Sequence, residues 1–200
     1  MTPFEIVAAP LTLWVAPAGT AFPLVNAAPA GPWIKVGTNG DRNYDDGGVE
    51  VGHTQKIEQA RPAGSTGPIK AWRTEEDLMI SLTLWDLTLE QYRIAMNDAA
   101  VSTTAAGAGT PGTKRFGLSQ GGDVAVYALL VRGQSSPYGD GFALQYEVPI
   151  VYQSGNPKPA YKKGKPAGLA LEFTALENPA AVSPAERFGR LIAQHQAPLA

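Results

Sequence analysis

The clearest pattern in the chain is Leu78-Met79-Ile80-Ser81-Leu82-Thr83-Leu84-Trp85. Leucine or isoleucine occupies every second position, which is the period of a β-strand that buries one face. Looser alternation on the N-terminal side, over residues 49–58, predicts a long strand with one polar face. The segments are joined by residues 60–69, whose glycines and prolines exclude regular structure. We therefore expect two neighbouring strands linked by a long loop.

The period changes to that of a helix directly after this strand. Thr88-Leu89-Glu90-Gln91 matches a capping box, in which the first side chain caps the helix and the last one folds back. Leu87 before it and Tyr92 after it match a hydrophobic staple, and Leu89, Tyr92 and Met96 share one helical face. The pattern predicts a helix over about 88–98 that packs on one side of a sheet.

Further strand patterns lie on both sides of this region. One of them, over residues 123–131, is apolar on both faces, which is typical of a strand buried on both sides, inside a subunit or between subunits. The chain also holds 22 Gly and 17 Pro, which suits a protein with many turns. The sequence therefore predicts a mainly β protein with these additional strands: 11–15, 33–36, 123–131, 142–151 and 168–176.

Composition excludes several classes of protein. The chain has 200 residues, of which 17% are charged, and a formal net charge of −2, which argues against a domain that binds nucleic acid by neutralising phosphates. It has no cysteine, so disulfides, thiolate metal sites and a cysteine nucleophile are impossible. No apolar run has the length of a membrane helix, and no basic region precedes an apolar stretch at the N-terminus, so we expect neither a membrane span nor a secretory signal.

The remaining segments are loops and a tail. Residues 39–48 form an acidic turn-rich loop, residues 99–113 a low-complexity loop or linker, and residues 153–167 a basic loop. Near the end, Ser183-Pro184-Ala185-Glu186 is a second capping box, followed by the apolar residues Phe188, Leu191 and Ile192. This pattern predicts a short amphipathic helix that must bury its apolar stripe on its own subunit or on a neighbour.

No set of residues predicts catalysis, a cofactor site or a metal site. His53 and His195 lack neighbours at metal-ligand spacing, and no serine lies in a Gly-x-Ser-x-Gly turn. Residues 107–112 match the letters of the Gly-x-Gly-x-x-Gly dinucleotide motif, but a helix is expected before them and a strand after them, which is the wrong order. Acidic residues in the loop 41–46 lack the spacing of a calcium loop, so a solvated turn is the preferred interpretation.

The order of these features resembles the major tail tube protein of long, non-contractile phage tails. The resemblance rests on the segments 13–23, 33–38 and 48–51, on the Gly/Pro/Ser loop with Glu75-Glu76-Asp77, and on the strand that runs into 87–92. It closes with Gly168-Leu169-Ala170-Leu171-Glu172-Phe173-Thr174-Ala175-Leu176 and covers about residues 10–179. It implies a β-sandwich or barrel with one flanking helix and with arms at both ends.

The family also implies an assembly and three groups of residues. Six subunits form a ring, rings stack into a tube, and one sheet lines a lumen that double-stranded DNA traverses without sequence recognition. The residues expected to face the lumen are Glu50, Thr54, Lys56, Glu58, Ser81, Thr83, Gln145 and Glu147. The inter-ring loop, about 59–72, would use Arg61, Pro62, Ser65, Thr66, Pro68, Lys70 and Trp72. Charge pairs between subunits would join Asp41, Asp45 and Asp46 to Lys158, Lys162, Lys163 and Lys165.

The resemblance further implies a location and partners. The protein would belong to the virion tail, with the host cytoplasm as its site of assembly, and would contact the tape measure and the tail terminator but no membrane. Its regions would be residues 1–32, an arm with the first strand; 33–179, the sandwich; and 180–200, a C-terminal arm. No cofactor, metal or catalytic residue is implied.

Other functions remain open at this point. One is a monomeric β-sandwich binding module, for example for glycans, using tryptophan platforms at Trp14, Trp33, Trp72 or Trp85. Another is a different virion component, such as a capsid decoration or tail-completion protein. An enzyme is the least favoured class, because no catalytic set can be assembled from the residues.

Overall fold

A computed structural model describes residues 5–197 of the chain. The protein is mainly β, with one α-helix, as the sequence predicts. The helix, α1, spans Leu89–Ala95. The strands are β1 (Thr12–Pro17), β2 (Ile34–Lys35), β3 (Tyr44–Ala60), β4 (Lys70–Leu84), β5 (Ser102–Thr104), β6 (Thr113–Arg115), β7 (Val126–Ser136), β8 (Gly139–Gln153), β9 (Leu169–Ala175) and β10 (Arg190–Ala193).

One large antiparallel sheet contains eight of these strands, in the order β2-β1-β7-β8-β9-β4-β3, with β10 added to β8. The long strand β8 has two different partners along one edge. Its C-terminal part pairs with β9 at 151–153, and its N-terminal part pairs with β10 at 144–147. Because β9 and β10 pair with different parts of the same edge of β8, the sheet splits into two parts along this strand. The architecture is consistent with a β-sandwich that carries one helix.

The main core lies where the alternation in β4 predicts it. Leu78, Ile80, Leu82 and Leu84 are all buried, and Phe173 of β9 is fully buried among them. Side chains from β1, β7, β8 and α1 complete the same cluster. Because a strand alternates its faces, the intervening residues of β4 point to the opposite side of the sheet, away from this cluster.

Strand β7 is buried on both faces over residues 127–131, as its apolar residues predict, but it begins at Val126 rather than at residue 123, and Val124 and Val126 are exposed. Tyr127, Leu129 and Val131 face the main core, whereas Ala128 and Leu130 face a second cluster. That second cluster is covered by the N-terminal segment of the same chain, whose Trp33 packs on Phe22 with ring centroids 5.2 Å apart. A neighbouring subunit is therefore not needed to cover this strand.

The helix begins and ends differently from the prediction over 88–98. The Thr88 side chain makes no capping hydrogen bond; instead the Oδ1 of Asp86 accepts from the Thr88 amide at 3.0 Å. Gln91 does not fold back as in a capping box, because its amide group bonds the backbone of residues 35–37 and is buried there. The helix stops at Ala95, since residues 97–98 adopt positive φ angles.

The buried face of the helix is also shifted from the predicted one. Gln91, Ile94 and Ala95 are buried, whereas Leu89 and Tyr92 are half-buried. The helix therefore turns a polar side chain toward the sheet. That orientation is stabilised because both ends of the Gln91 amide find backbone partners, a long-range arrangement that helical periodicity does not indicate.

The prediction of a C-terminal amphipathic helix is wrong. Ser183 does cap a short 3₁₀ turn, Pro184–Glu186, but the chain then forms β10 on the edge of β8. A Cβ atom on Gly189 would lie 2.1 Å from the carbonyl oxygen of Glu147, so glycine allows this close approach. As a strand, residues 190–193 form backbone hydrogen bonds with the free edge of β8. A helix of one turn would not form these bonds. Residues 190–193 are thus part of the main sheet.

The low-complexity segment over 99–113 is more ordered than the sequence predicts. Its residues 102–104 form β5, which pairs with β6 in a small separate two-stranded sheet. Residues 107–112 lie in the turn between these strands, where Gly107 and Thr110 bridge each other. The Gly-x-Gly-x-x-Gly sequence is therefore part of a hairpin. A dinucleotide phosphate requires that this motif lead into the N-terminus of a helix, and here strand β6 follows it instead.

Candidate assembly surfaces

Strands β3 and β4 continue beyond the sheet as an isolated two-stranded ribbon. Strand β9 pairs with β4 only over residues 79–84, so residues 52–60 and 70–77 pair only with each other within the described chain. Nearly all of these residues are exposed. Nine residues of strand extend about 30 Å. We call residues 52–77 the ribbon; no third strand of residues 5–197 pairs with it, and its base contacts Arg187, which donates to Glu76 at 2.9 Å.

The end of the ribbon carries apolar side chains in water. Ile57 is 49% exposed, Ile69 70% and Trp72 45%. The turn of residues 61–69 is held by the Arg61 guanidinium, which donates to the Gln59 side chain at 2.9 Å and to the carbonyl of Thr66 at 3.4 Å. An isolated two-stranded ribbon is marginally stable in water, so this apolar end favours a contact with another molecule.

The predicted inter-ring residues divide between the turn and the ribbon strands. Those placed in the turn are Arg61, Pro62, Ser65, Thr66 and Pro68, as expected. Lys70 and Trp72 lie in β4 instead, opposite Ala60 and Glu58. The expected loop of about 59–72 is therefore too long at both ends, because cross-strand pairing extends the strands up to Ala60 and Lys70.

The outer side of the β3–β4–β9 sheet is an acidic face. Strand register brings together six of the eight predicted lumen residues: Glu50 lies opposite Ser81, and Lys56 lies opposite Glu75, with which it forms a 3.0 Å salt bridge. The face as a whole consists of Glu50, Thr54, Lys56, Glu58, Glu75, Asp77, Ser81, Thr83 and Glu172. Five carboxylates against one ammonium make this surface strongly negative, although Lys70 follows at the turn.

Three of these acids, Glu75, Asp77 and Glu172, are missing from the lumen residues predicted from the sequence. Asp77 lies two residues before Met79 and four before Ser81, so strict alternation along β4 could have identified it. Glu172 is brought beside Ser81 by the pairing of β9 with β4, which needs the topology. Glu75 depends on a β-bulge: Lys56 pairs with Glu75 but Ile57 pairs with Arg73, leaving one extra residue on β4.

Gln145 and Glu147 do not belong to this face, and their assignment to the lumen is wrong. Gln145 is 0% exposed and Glu147 3% exposed. Gln145 donates to the carbonyl of Pro23 at 3.0 Å, and Arg190 of β10 donates to Glu147 at 2.8 Å. The N-terminal segment and β10 thus cover this side of β8, and alternation alone does not show which segment covers a polar face.

These two side chains belong to a buried polar network. Arg132 of β7, 5% exposed, donates to Gln145, to the carbonyl of Leu24 at 3.0 Å and to that of Ala27. Gln145 in turn donates to Glu147. Burial lowers the pKa of Arg132, an effect that the charge of Glu147 opposes, while the hydrogen bond to Glu147 raises the pKa of Arg190. The network joins the N-terminal segment to β10 across the sheet.

The acidic and basic loops lie close together at one end of the same subunit. Asp41 is part of the 3₁₀ turn 40–43 and accepts from the Thr12 hydroxyl at 3.2 Å. Asp45 lies in β3 with Asp46 and lines a cleft together with Asn156, just before the lysine loop. The four lysines, Lys158, Lys162, Lys163 and Lys165, are all exposed and form no salt bridge within residues 5–197. Pairing of the two groups between subunits stays a prediction.

The histidines and tryptophans form no common site. His53 lies in the ribbon opposite Leu78, while the His195 ring stacks on Tyr138 with centroids 5.4 Å apart. Trp72 lies near the start of β4 and Trp85 directly follows its last residue, so the two are about 40 Å apart at the rise of a strand. Over the described range 5–197, no cluster of three or more His, Asp or Glu side chains is arranged to hold a metal ion.

No family model matches the chain, and no curated protein matches its sequence. Among the helices of residues 5–197, none is long and apolar enough to cross a bilayer.

Proposed function

We propose that this protein is a self-assembling structural subunit of a phage tail tube. The observation that carries the proposal is the ribbon, which extends about 30 Å as two strands with nearly all of its residues exposed and with an apolar end. Such a segment is marginal in a monomer and gains its stabilisation from a second molecule. In a stack of rings the ribbon of one subunit reaches the next ring.

The open edge of the sheet supports lateral association as well. Strand β3 is the last strand of the sheet order, and no strand of residues 5–197 pairs with its other edge. An edge of 17 residues is a long template for pairing with another chain. In a ring of six copies, neighbouring subunits cover these edges and close the sheets around a channel.

The acidic face suits the wall of a channel for DNA. Four of its five carboxylates are exposed and Glu172 is half-buried, and phosphates passing along this face are repelled and do not bind. Under this proposal the protein acts in the virion tail together with a tape measure and a terminator, after assembly in the host cytoplasm. It performs no catalysis and needs no cofactor.

Electron microscopy of negatively stained protein tests the proposal directly. We expect rings or tubes of sixfold symmetry at high protein concentration. A second sample replaces residues 61–69 by Asn-Gly, which closes the ribbon with a two-residue turn and leaves the sheet intact. This variant should form rings that fail to stack. Discrete monomers under all conditions would refute the proposal, and unchanged tube length in the variant would refute the role of the turn.

The arrangement of the tryptophans disfavours a glycan platform as the function. Trp33 is buried against Phe22, and Trp72 and Trp85 are too far apart to stack on one sugar chain. A decoration or tail-completion protein differs from a tube subunit in the assembly it forms. The same micrographs distinguish them, since only a tube subunit stacks into long tubes by itself.

A further inference from the structure

One side of the ribbon continues the buried side of the sheet. Alternation along β3 puts Ile57 on the same side as Val51, which packs on the main core. Ile57 pairs with Arg73, and Ile69 lies on this side four residues before Arg73. Within the body the sandwich covers this side, but in the ribbon Ile57 and Ile69 are 49% and 70% exposed. The ribbon therefore carries uncovered aliphatic side chains on the side opposite to its acidic face.

A groove beside α1 presents a second uncovered apolar surface. It has a volume of about 230 Å³, and eight of its eleven lining residues are aliphatic or aromatic or are proline. Val15 and Ile94 in the lining are buried, whereas Ile34 and Val126 are 48% and 42% exposed. Exposed aliphatic side chains that gather around one groove indicate a surface that another protein covers.

The ribbon and the groove belong to opposite ends of the same strand. The ribbon contains the first residues of β4, and α1 begins at Leu89, five residues after the last residue of β4. A contact between two different patches at opposite ends of a molecule cannot be satisfied within one pair of copies. It repeats from copy to copy, so it joins subunits head to tail.

The charges of the two surfaces are of opposite sign. Residues 57–73 hold three cations and one carboxylate, namely Arg61, Lys70, Arg73 and Glu58. The lining of the groove holds two carboxylates and one cation, namely Glu90, Asp98 and Arg93. Both carboxylates are already paired within the chain, Asp98 with Arg93 at 3.2 Å and Glu90 with Lys114 at 2.6 Å, but these pairs are half in water. Exposed pairs of this kind are weak, so they leave the carboxylates open to a second cation.

We propose that the apolar end of the ribbon of one copy docks in the groove beside α1 of a second copy. Ile57 and Ile69 pack on Ile34 and Val126, and the cations of the ribbon end lie near Glu90 and Asp98. This inference rests on the proposed function, because it names the surface of the next ring that receives the ribbon.

Cross-linking between two single-cysteine variants tests the contact, since the natural chain has no cysteine. Ile57→Cys and Val126→Cys are mixed under assembly conditions and treated with a short bis-maleimide. We expect a cross-linked dimer in the mixture and little in either variant alone. The matched control mixes Ile57→Cys with Val182→Cys, whose site is 99% exposed, and gives the yield from random collisions. A yield that does not exceed this control would overturn the proposal.

A further mixture distinguishes the ribbon from the basic loop as the occupant. Tyr161 lies in that loop and is 76% exposed. Cross-linking of Val126→Cys to Tyr161→Cys, in place of Ile57→Cys, would show that the loop fills the groove and would overturn the proposal.

Micrographs of the uncross-linked variants separate this inference from the tube proposal. Val126→Ser removes apolar surface from the groove and should raise the protein concentration needed for tubes about tenfold, with an unchanged melting temperature. Val182→Ser should assemble as the parent does. Tubes that form without the specific cross-link would refute the docking site alone. A specific cross-link without tubes would support the docking site and refute the tube.

Discussion

Removal of Arg190 should release β10 from the sheet and lower the stability of the whole domain. Its guanidinium donates to Glu147 at 2.8 Å, and the Glu147 side chain is only 4% exposed while that of Arg190 is 51% exposed. In Arg190→Met the apolar stem is kept and the charge is lost. Glu147 then remains as a buried carboxylate whose neighbouring donor is Gln145.

The expected cost follows from the burial of one partner. Breaking a fully buried ion pair costs about 3–5 kcal/mol, and a hydrogen bond to a charged group about 1.5–3 kcal/mol. Because Arg190 is half in water, solvent screens part of the pair. We expect about 2–3 kcal/mol, which for a domain of this size lowers the melting temperature by about 4–12 °C.

Urea unfolding and thermal unfolding measure this cost, and the chain supplies a matched control. Arg187 lies on the same segment and donates to Glu76 at 2.9 Å, but both side chains are substantially exposed, at 41% and 33%. Arg187→Met should therefore cost less than about 1 kcal/mol. In the double variant Glu147→Gln with Arg190→Met no buried carboxylate is left without its arginine partner, so the two costs should not add.

The result that would refute this reasoning is equal stability of the two arginine variants. It would mean that Glu147 finds another donor, or that β10 contributes nothing to the fold. Additive costs in the double variant would equally show that the pair is not coupled.

Three further outcomes follow from the structure. Asp86→Asn should lower the free energy of unfolding by about 1–3 kcal/mol at neutral pH, as urea titrations would show. Burial raises the pKa of Asp86, but the hydrogen bonds that it accepts outweigh this and hold the pKa below its ordinary value. The stabilisation is therefore present at pH values above the ordinary aspartate pKa and is lost as the pH falls through the lowered pKa. A free energy of unfolding that falls as steeply with decreasing pH in Asp86→Asn as in the parent would contradict this prediction. Trp72→Ser should leave the melting temperature within about 2 °C and shorten the tubes seen in micrographs, since this side chain is 45% exposed; a large loss of stability would show that it packs within its own subunit. Glu50→Lys with Glu58→Lys should leave tubes intact but make them retain a short DNA duplex at low salt, measured by fluorescence anisotropy, whereas absence of retention would argue against a lumenal acidic face.

Local periodicity was sufficient for the long strands of the main sheet and for part of the acidic face. Alternation at Leu78 to Leu84 depends only on neighbouring residues, and the same alternation places Glu50 and Ser81 on the outer side. The apolar residues of β7 likewise indicate burial on both faces, whichever segment provides the cover.

What periodicity could not supply was the identity of the covering segment. Gln145 and Glu147 have the alternation of a solvent-facing side, yet the N-terminal segment and β10 bury them. The C-terminal residues have the pattern of a helix, but they become a strand because β8 offers a free edge. These outcomes depend on contacts between residues more than 40 positions apart.

The amino-acid order therefore decides where the long strands lie and which side of each of them is apolar, because adjacent side chains alternate across a pleated backbone. The tertiary structure decides which polar sides meet water and which are covered. Pairing of distant segments is governed by free edges and by buried groups such as Glu147 that require a partner, and neither is visible in a window of a few residues.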